Sequence, residues 1–317
     1  MDLEKVDVDL RRTTTRLPAT DPSKTSMRRA SALALKVMPV KRADGVRVRT
    51  VRDGTARDGS VKVRIYEPAT RRTDAVLLWV HGGGLVIGNP RQDERLASGT
   101  AAALGMTVVS TYYRLAPEHP FPAAHDDVRA AWAWLQANAA SLGVDPARVV
   151  VGGESAGGGL AASLVQRLHD EGAHPIGQWL FCPMLDDRTA ARGELDVVDH
   201  FIWNNAANRF GWSSYLGREP GAAEVPAYAV PARRDDLTGL PPAWICVSDI
   251  ELFHDEDVDY ARRLEAAGVP VTLDLVAGAP HGFENWAADT APARALIGRA
   301  QAWLAGVVGV VGVVQGV

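Results

Sequence analysis

Three features of the sequence predict an α/β fold with a mostly parallel sheet of about eight strands. Six uniformly apolar runs alternate with helical stretches, two period-two runs precede them, and one apolar run passes through a glycine-flanked serine directly into a helix. Continuous apolar strands imply a sheet covered by helices on both faces, because only a strand buried on both sides dispenses with alternation. The chain has 317 residues, 47% hydrophobic and 23% charged, which is enough apolar surface for one large domain with a smaller part appended.

Residues 1–45 read as helical segments broken by Pro18, Pro22 and Pro39, and the pattern then changes to strands. VRVRTVRD (Val46–Asp53) and VKVRIYEP (Val61–Pro68) alternate and flank GTARDGS, which predicts an antiparallel pair. The apolar strands follow as AVLLWV, TVVSTYY, RVVVGG, IGQWLFC, AWICVS and VTLDLV. Between the second and third of these, an alanine-rich helix puts Val128, Trp132 and Leu135 on one stripe and stops at Gly143. About sixty residues separate Cys182 from Ala243 and hold Trp203, Phe210, Trp212 and Tyr215, a connection of the length expected for a lid or binding element. Residues 306–317, GVVGVVGVVQGV, read as a low-complexity Gly/Val tail: a frayed terminus whose β-branched character also suits a sheet edge.

A net charge of -4 gives no electrostatic reason to expect nucleic acid or an anionic membrane as partner. Arg11, Arg12, Arg16, Arg28 and Arg29 are scattered among threonines and read as a solvated face. No stretch approaches the ~20 apolar residues that span a bilayer, and the first ten residues alternate charge with aliphatics, unlike a secretory signal. Cys182 and Cys246 lie in apolar runs and are expected as reduced, buried thiols, with the cytoplasm as the default location. Whether the chain forms a homodimer is left open.

The sharpest local signal is GESAG at residues 153–157, set between strand and helix. A serine at the apex of so tight a turn takes a strained backbone conformation, and its flanking positions must be glycine to avoid collision. Ser155 is therefore the candidate nucleophile. A second signal is HGGG at residues 81–84, at the end of another strand; three consecutive glycines cost chain entropy unless the backbone must approach something closely, as in an oxyanion hole completed by the N–H of Ala156. The third is His281, just after the last strand, which makes the chain order nucleophile, acid, histidine, as in α/β-hydrolases. No histidine pair has metal-ligand spacing, so no metal is expected.

These pieces together resemble the bacterial hormone-sensitive-lipase-like carboxylesterases. The likeness rests on HGGG at His81, YRLAPEHPFPAAHDD at Tyr113, GESAG at Gly153, GLPPAWI at Gly239, DYARRLEAAGVPV at Asp259 and HGF at His281, spanning nearly all of residues 46–304. It implies an α/β-hydrolase core over residues 46–305 and a helical cap made of residues 1–45 and an insertion at about 188–225. It further implies no cofactor, and hydrolysis of small-molecule esters with short- to medium-length acyl chains. By the same resemblance Gly83, Gly84 and Ala156 supply the oxyanion N–H groups, and His81 anchors their loop. Trp203, Phe210 and Tyr215 are the aromatic residues expected to line the substrate pocket. An amidase or formamidase uses the same triad; gibberellin receptors share the fold and bind without hydrolysing, but have lost the histidine that stands here as His281.

The segment ICVSDIELFHDED offers five carboxylates for the triad acid. Asp255, Glu256 and Asp257 fall in the first turn of a helix, where its dipole favours acids. Asp249 and Glu251 remain. Laying the family pattern Asp-Leu-Phe-x-Asp-Glu on ELFHDE puts Glu251 at the acid position, and Asp249 fits only with a two-residue slip.

Overall fold

In a computed structural model of the protein, which describes residues 2–17, 21–37, 39–54, 61–198 and 200–311, eight strands form one sheet in the order β1-β2-β4-β3-β5-β6-β7-β8. These are β1 Val46–Asp53, β2 Val61–Pro68, β3 Val76–Val80, β4 Thr107–Thr111, β5 Val149–Glu154, β6 Gly177–Phe181, β7 Ala243–Ser248 and β8 Val271–Val276. β1 and β2 pair antiparallel, β2 joins β4 antiparallel, and every pairing from β4 to β8 is parallel. The expected fold class is the observed one.

Successive side chains of each inner strand go to opposite faces. On β3, Val76, Leu78 and Val80 enter one apolar cluster while Leu77 and Trp79 enter the other. The first cluster is closed by α4 (Ala123–Leu142), α5 (Ala156–Asp170) and α8 (His254–Ala266), the second by α3 (Glu94–Leu104) and α10 (Ala291–Val307). Trp79, Trp179, Phe181 and Trp244 interlock in the second with edge-on and tilted contacts, ring centroids 4.8–6.3 Å apart. Each fully buried aliphatic contributes about 1.5–3 kcal/mol, so the double-sided burial stiffens the strands that carry the loops at their carboxyl ends.

From β3 the chain passes to β4 on one side and then to β5 on the other, so the strand order switches direction between β3 and β5. In open α/β sheets such a switch leaves a crevice at the carboxyl ends of the strands, and here the glycine loop and Ser155 emerge on its two sides.

Among residues 2–17 and 21–37, a short 3-10 turn is followed by α1 (Val8–Thr14) and α2 (Thr25–Val37). α1 buries Leu10 beside α10 in the second cluster, and Asp7 N–H donates to Gly278 O at 2.8 Å. Among the described residues of this segment, Asp21, Pro22, Met27, Arg28 and Ser31 border the crevice. The insertion holds α6 (Asp187–Ala191) and α7 (Asn205–Leu216), the latter started by Asn204, whose side chain accepts from Ala207 N–H at 3.0 Å. The expected tail is shorter than its composition suggested. α10 runs through Val307, and Val308 and Val310 are buried in the second cluster, with Arg148 donating to Val308 O at 2.9 Å. Val308 and Val310 find apolar surface, so the described part of the stretch, residues 306–311, is packed; residues 312–317 lie outside the described residues.

Candidate active site

The turn from β5 into α5 holds Ser155 at φ 54°, ψ -122°, a conformation that neighbours with side chains would block. A Cβ on Gly157 would lie 2.1 Å from Val80 O, so β3 itself forbids anything larger there. Ser155 is braced by its own backbone, its N–H donating to Phe181 O at 2.8 Å and its carbonyl accepting from Met184 N–H at 2.9 Å.

His281 follows β8 and is held by Trp286, whose indole N–H donates to His281 O at 2.9 Å, and by the edge of Phe253 at 5.2 Å between ring centroids. Its Nε2 lies 2.8 Å from Ser155 Oγ, and its Nδ1 lies 2.6 Å from Glu251 Oε2. All three side chains are buried. A carboxylate at Nδ1 keeps the proton on that nitrogen and leaves Nε2 free to accept from the serine hydroxyl. Glu251 is oriented in turn by Ser248 N–H, 3.3 Å from Oε1. Asp249 does other work: its Oδ1 accepts from Gly278 N–H at 2.7 Å and so ties the loop after β7 to the loop after β8.

The other three acids of the segment divide. Asp255 is exposed and pairs with Arg192 at 3.2 Å, as an acid in a first turn can. Glu256 and Asp257 are buried, and burial pushes both well above the carboxylate range, so a dipole reading does not account for them. Glu256 Oε1 accepts from the N–H groups of Leu185 and Asp186 at 2.7 and 3.1 Å, fixing the entrance to the insertion.

The glycine loop faces Ser155 from the end of β3. Gly83 and Gly84 take φ of 117° and 58°, and among the described residues their N–H groups donate to no other protein atom. Ala156 begins α5, where the first N–H groups lack an intrahelical acceptor. His81 stacks on Tyr113 with ring centroids 4.2 Å apart, and Tyr113 Oη donates to His81 O at 2.9 Å. Burial lowers the His81 imidazole to about 4, so it is a neutral anchor.

Over Ser155 lies a cavity of about 230 Å³, bounded by the glycine loop, Trp203, Met27, Arg28 and Trp286. Trp203 packs on the loop so closely that a Cβ at Gly84 would fall 1.9 Å from its ring. Phe210 and Tyr215 do not line this cavity, contrary to expectation. Tyr215 is core, edge-on to Phe121 at 5.6 Å, and Phe210 carries the Arg28 guanidinium 5.2 Å from its ring centroid. Helical spacing turns the α7 aromatics into the cap, whereas Trp203 precedes that helix. A larger open cleft of about 720 Å³ beside Asp170, Arg234 and Arg263 has no serine, cysteine or histidine in its wall.

Cys182 Sγ, Glu251 and His281 bring potential ligand atoms within 4.8 Å of one another. Both ring nitrogens of His281 are already engaged and burial pushes the Cys182 thiol up, so we assign no metal ligand there. Sequence reasoning missed a group of buried acids beside the elbow. Asp93 accepts from Trp79 Nε1 at 2.7 Å and from Asn285 Nδ2 at 3.3 Å, and Asn285 also donates to Glu154. Burial raises Asp93 and Glu284 to about 7 and Glu154 well above the usual range, the Glu154 shift being reinforced by Glu284 and Asp93. The one local signal was the position of Glu154 inside the elbow.

A family model described as the alpha/beta hydrolase fold matches residues 77–285. The chain belongs to that family. Among its relatives, esterase LipI of Mycobacterium tuberculosis is 36% identical over 244 residues, 74% of each chain. The ethyl acetate hydrolase of Pseudomonas putida is 34% identical over 240 residues, 72% of this chain and 73% of that one. Of solved structures, a bacterial heroin esterase superposes with a TM-score of 0.86 at 34% identity, covering 96% of this α/β-hydrolase and 99% of the other chain. These relatives agree with the resemblance to hormone-sensitive-lipase-like carboxylesterases.

Proposed function

We propose that this α/β-hydrolase is a serine carboxylesterase acting on small esters with short- to medium-length acyl chains. The observation that carries the reading is the unbroken hydrogen-bonded chain from Ser155 Oγ through His281 to Glu251, opening on a cavity. In this reading His281 Nε2 takes the serine proton as Oγ attacks the ester carbonyl, and Glu251 stabilises the imidazolium. The N–H groups of Gly83, Gly84 and Ala156 hold the oxyanion. The alcohol leaves with the proton from Nε2, and a water molecule activated by the same nitrogen hydrolyses the acyl-enzyme. The relatives named above as esterases support the reaction class. A cavity of about 230 Å³ is smaller than the ~300 Å³ at which drug-sized sites begin, which supports a short acyl chain.

Every group in this reading comes from one chain. No helix of the described residues is long and apolar enough to cross a membrane. Both cysteines are free and buried, which supports the cytoplasm as location. The test compares wild type and Ser155→Ala on a nitrophenyl acetate and the matching anilide. Ester turnover lost by at least about 10³-fold in the variant, with its melting curve unchanged, is expected. Faster cleavage of the anilide would transfer the assignment to an amidase, and activity retained by Ser155→Ala would remove it.

A further inference from the structure

Past His281 the chain turns through Gly282 into α9 (Phe283–Trp286), which carries Glu284 back behind the triad. Glu284 is 2% exposed, and its Oε1 has no hydrogen-bond partner among the described residues. It borders a small void of about 10 Å³ whose wall also includes Glu251, His281, Cys182 and Cys246, space on the scale of one water molecule. On its other side it borders a cleft of about 330 Å³ into which Lys41, Arg42, Arg95 and Arg294 face. A carboxyl with one oxygen left unsatisfied thus stands between the back of the triad and solvent.

We propose that Glu284 is a positioning residue for the charge of His281, its carboxylate acting through the protein as a counter-charge to the imidazolium. The inference rests on the esterase reading only for the moment at which the imidazolium forms; the coupling itself belongs to the resting chain. Apart from Asp93, the other groups near Glu284 keep a fixed charge or are held neutral. Cys182 and Cys246 are raised by burial and stay as thiols. Arg42 is bonded to Glu94 at 2.5 Å and Arg95 to Asp289 at 2.6 Å. Glu154 is held protonated by burial, and Asp93 titrates with the same cluster. Burial and the neighbouring Glu251 and Asp93 favour the protonated form of Glu284, while its own backbone N–H and a positive His281 favour the ionised one, and their balance falls near neutrality. Ionisation needs only that the proton reach the cleft. At higher pH the imidazolium then gains a second neighbouring anion besides Glu251.

The test is the pH profile of kcat/KM for nitrophenyl acetate between about pH 5 and 9 in wild type, Glu284→Gln and Glu284→Asp. Removing a neighbouring carboxylate should move the acid-side inflection of Glu284→Gln down by about half to one pH unit, with Glu284→Asp returning toward wild type. A role confined to packing would lower stability without moving that inflection, and an unmoved inflection in a folded Glu284→Gln overturns the proposal. A second measurement keeps Glu284: its carboxyl resonance should titrate at higher pH in His281→Asn than in the unaltered chain, because a positive His281 lowers it. An unmoved titration overturns the proposal even if neither Glu284 variant folds. If the chain turns over no ester, the esterase reading fails and this titration still decides the coupling.

Discussion

Replacing Glu251 by glutamine tests the least conventional member of the triad. In the resting chain the carboxylate meets His281 Nδ1 at 2.6 Å in a site that is almost wholly buried, so the interaction is charge-assisted and little screened. The amide keeps the shape and can keep the bond to Ser248 N–H, but it carries no charge. It can also present its NH₂ to Nδ1, which moves the ring proton to Nε2 and leaves Ser155 without an acceptor. Losing both the tautomer control and the stabilised imidazolium should lower kcat by ~10²- to 10⁴-fold, equivalent to about 2.7–5.5 kcal/mol of barrier. KM should change little, because Glu251 lies behind His281 and is not part of the substrate cavity wall. The assay is initial-rate hydrolysis of a nitrophenyl ester by Glu251→Gln and Asp249→Asn, with melting temperatures recorded in parallel. Asp249→Asn should cost stability through the tie to Gly278 N–H and leave most of kcat. If Asp249→Asn loses catalysis while Glu251→Gln stays near wild type, the acid is Asp249 and the reasoning from geometry is wrong.

Trp203→Ala should widen the cavity and raise the relative kcat/KM for longer acyl chains, and a panel of nitrophenyl esters that shows unchanged preference would count against Trp203 as a wall of the pocket. Gly84→Ala should lower kcat by an order of magnitude or more, because the new Cβ meets the Trp203 ring at 1.9 Å; in the Trp203→Ala background the loss should shrink, and strictly additive effects would refute a steric cause. Asp93 has its folded-state value raised to about 7 by burial, so its contribution to stability is present below about pH 4 and is lost as pH rises toward 7. The melting temperature of Asp93→Asn relative to wild type should therefore climb by a few degrees over that interval, and a difference that stays flat with pH refutes the assignment.

The strands were readable because their sequences are either alternating or wholly apolar, and VTLDLV and AWICVS coincide with β8 and β7. α4 stops where Gly143 adopts the left-handed conformation, a boundary set by one residue's backbone and hence visible locally. Ser155 and His281 were legible for the same reason, since their motifs describe turns. What stayed hidden depends on distant chain. Asp93 lies in NPRQDER, a run that looks solvated, and is buried only because Trp79 and Asn285 close over it. Tyr215 and Phe210 were misplaced because an aromatic residue in an insertion looks the same in sequence whether it faces a ligand or its own helix pair.

The contact between Trp203 and Gly84 joins two properties usually treated as separable. The indole that bounds the substrate cavity rests on the very peptide proposed to stabilise the oxyanion, with no side chain between them. Grafting the insertion of another esterase onto this core would therefore not transplant selectivity alone. A bulkier residue at 203 would press on the 83–84 peptides, and a smaller one would leave them unsupported, so turnover would drift with every change of preference. Engineering this protein for new esters should treat position 203 and the glycine loop as one unit, varied together and screened on rate as well as on selectivity.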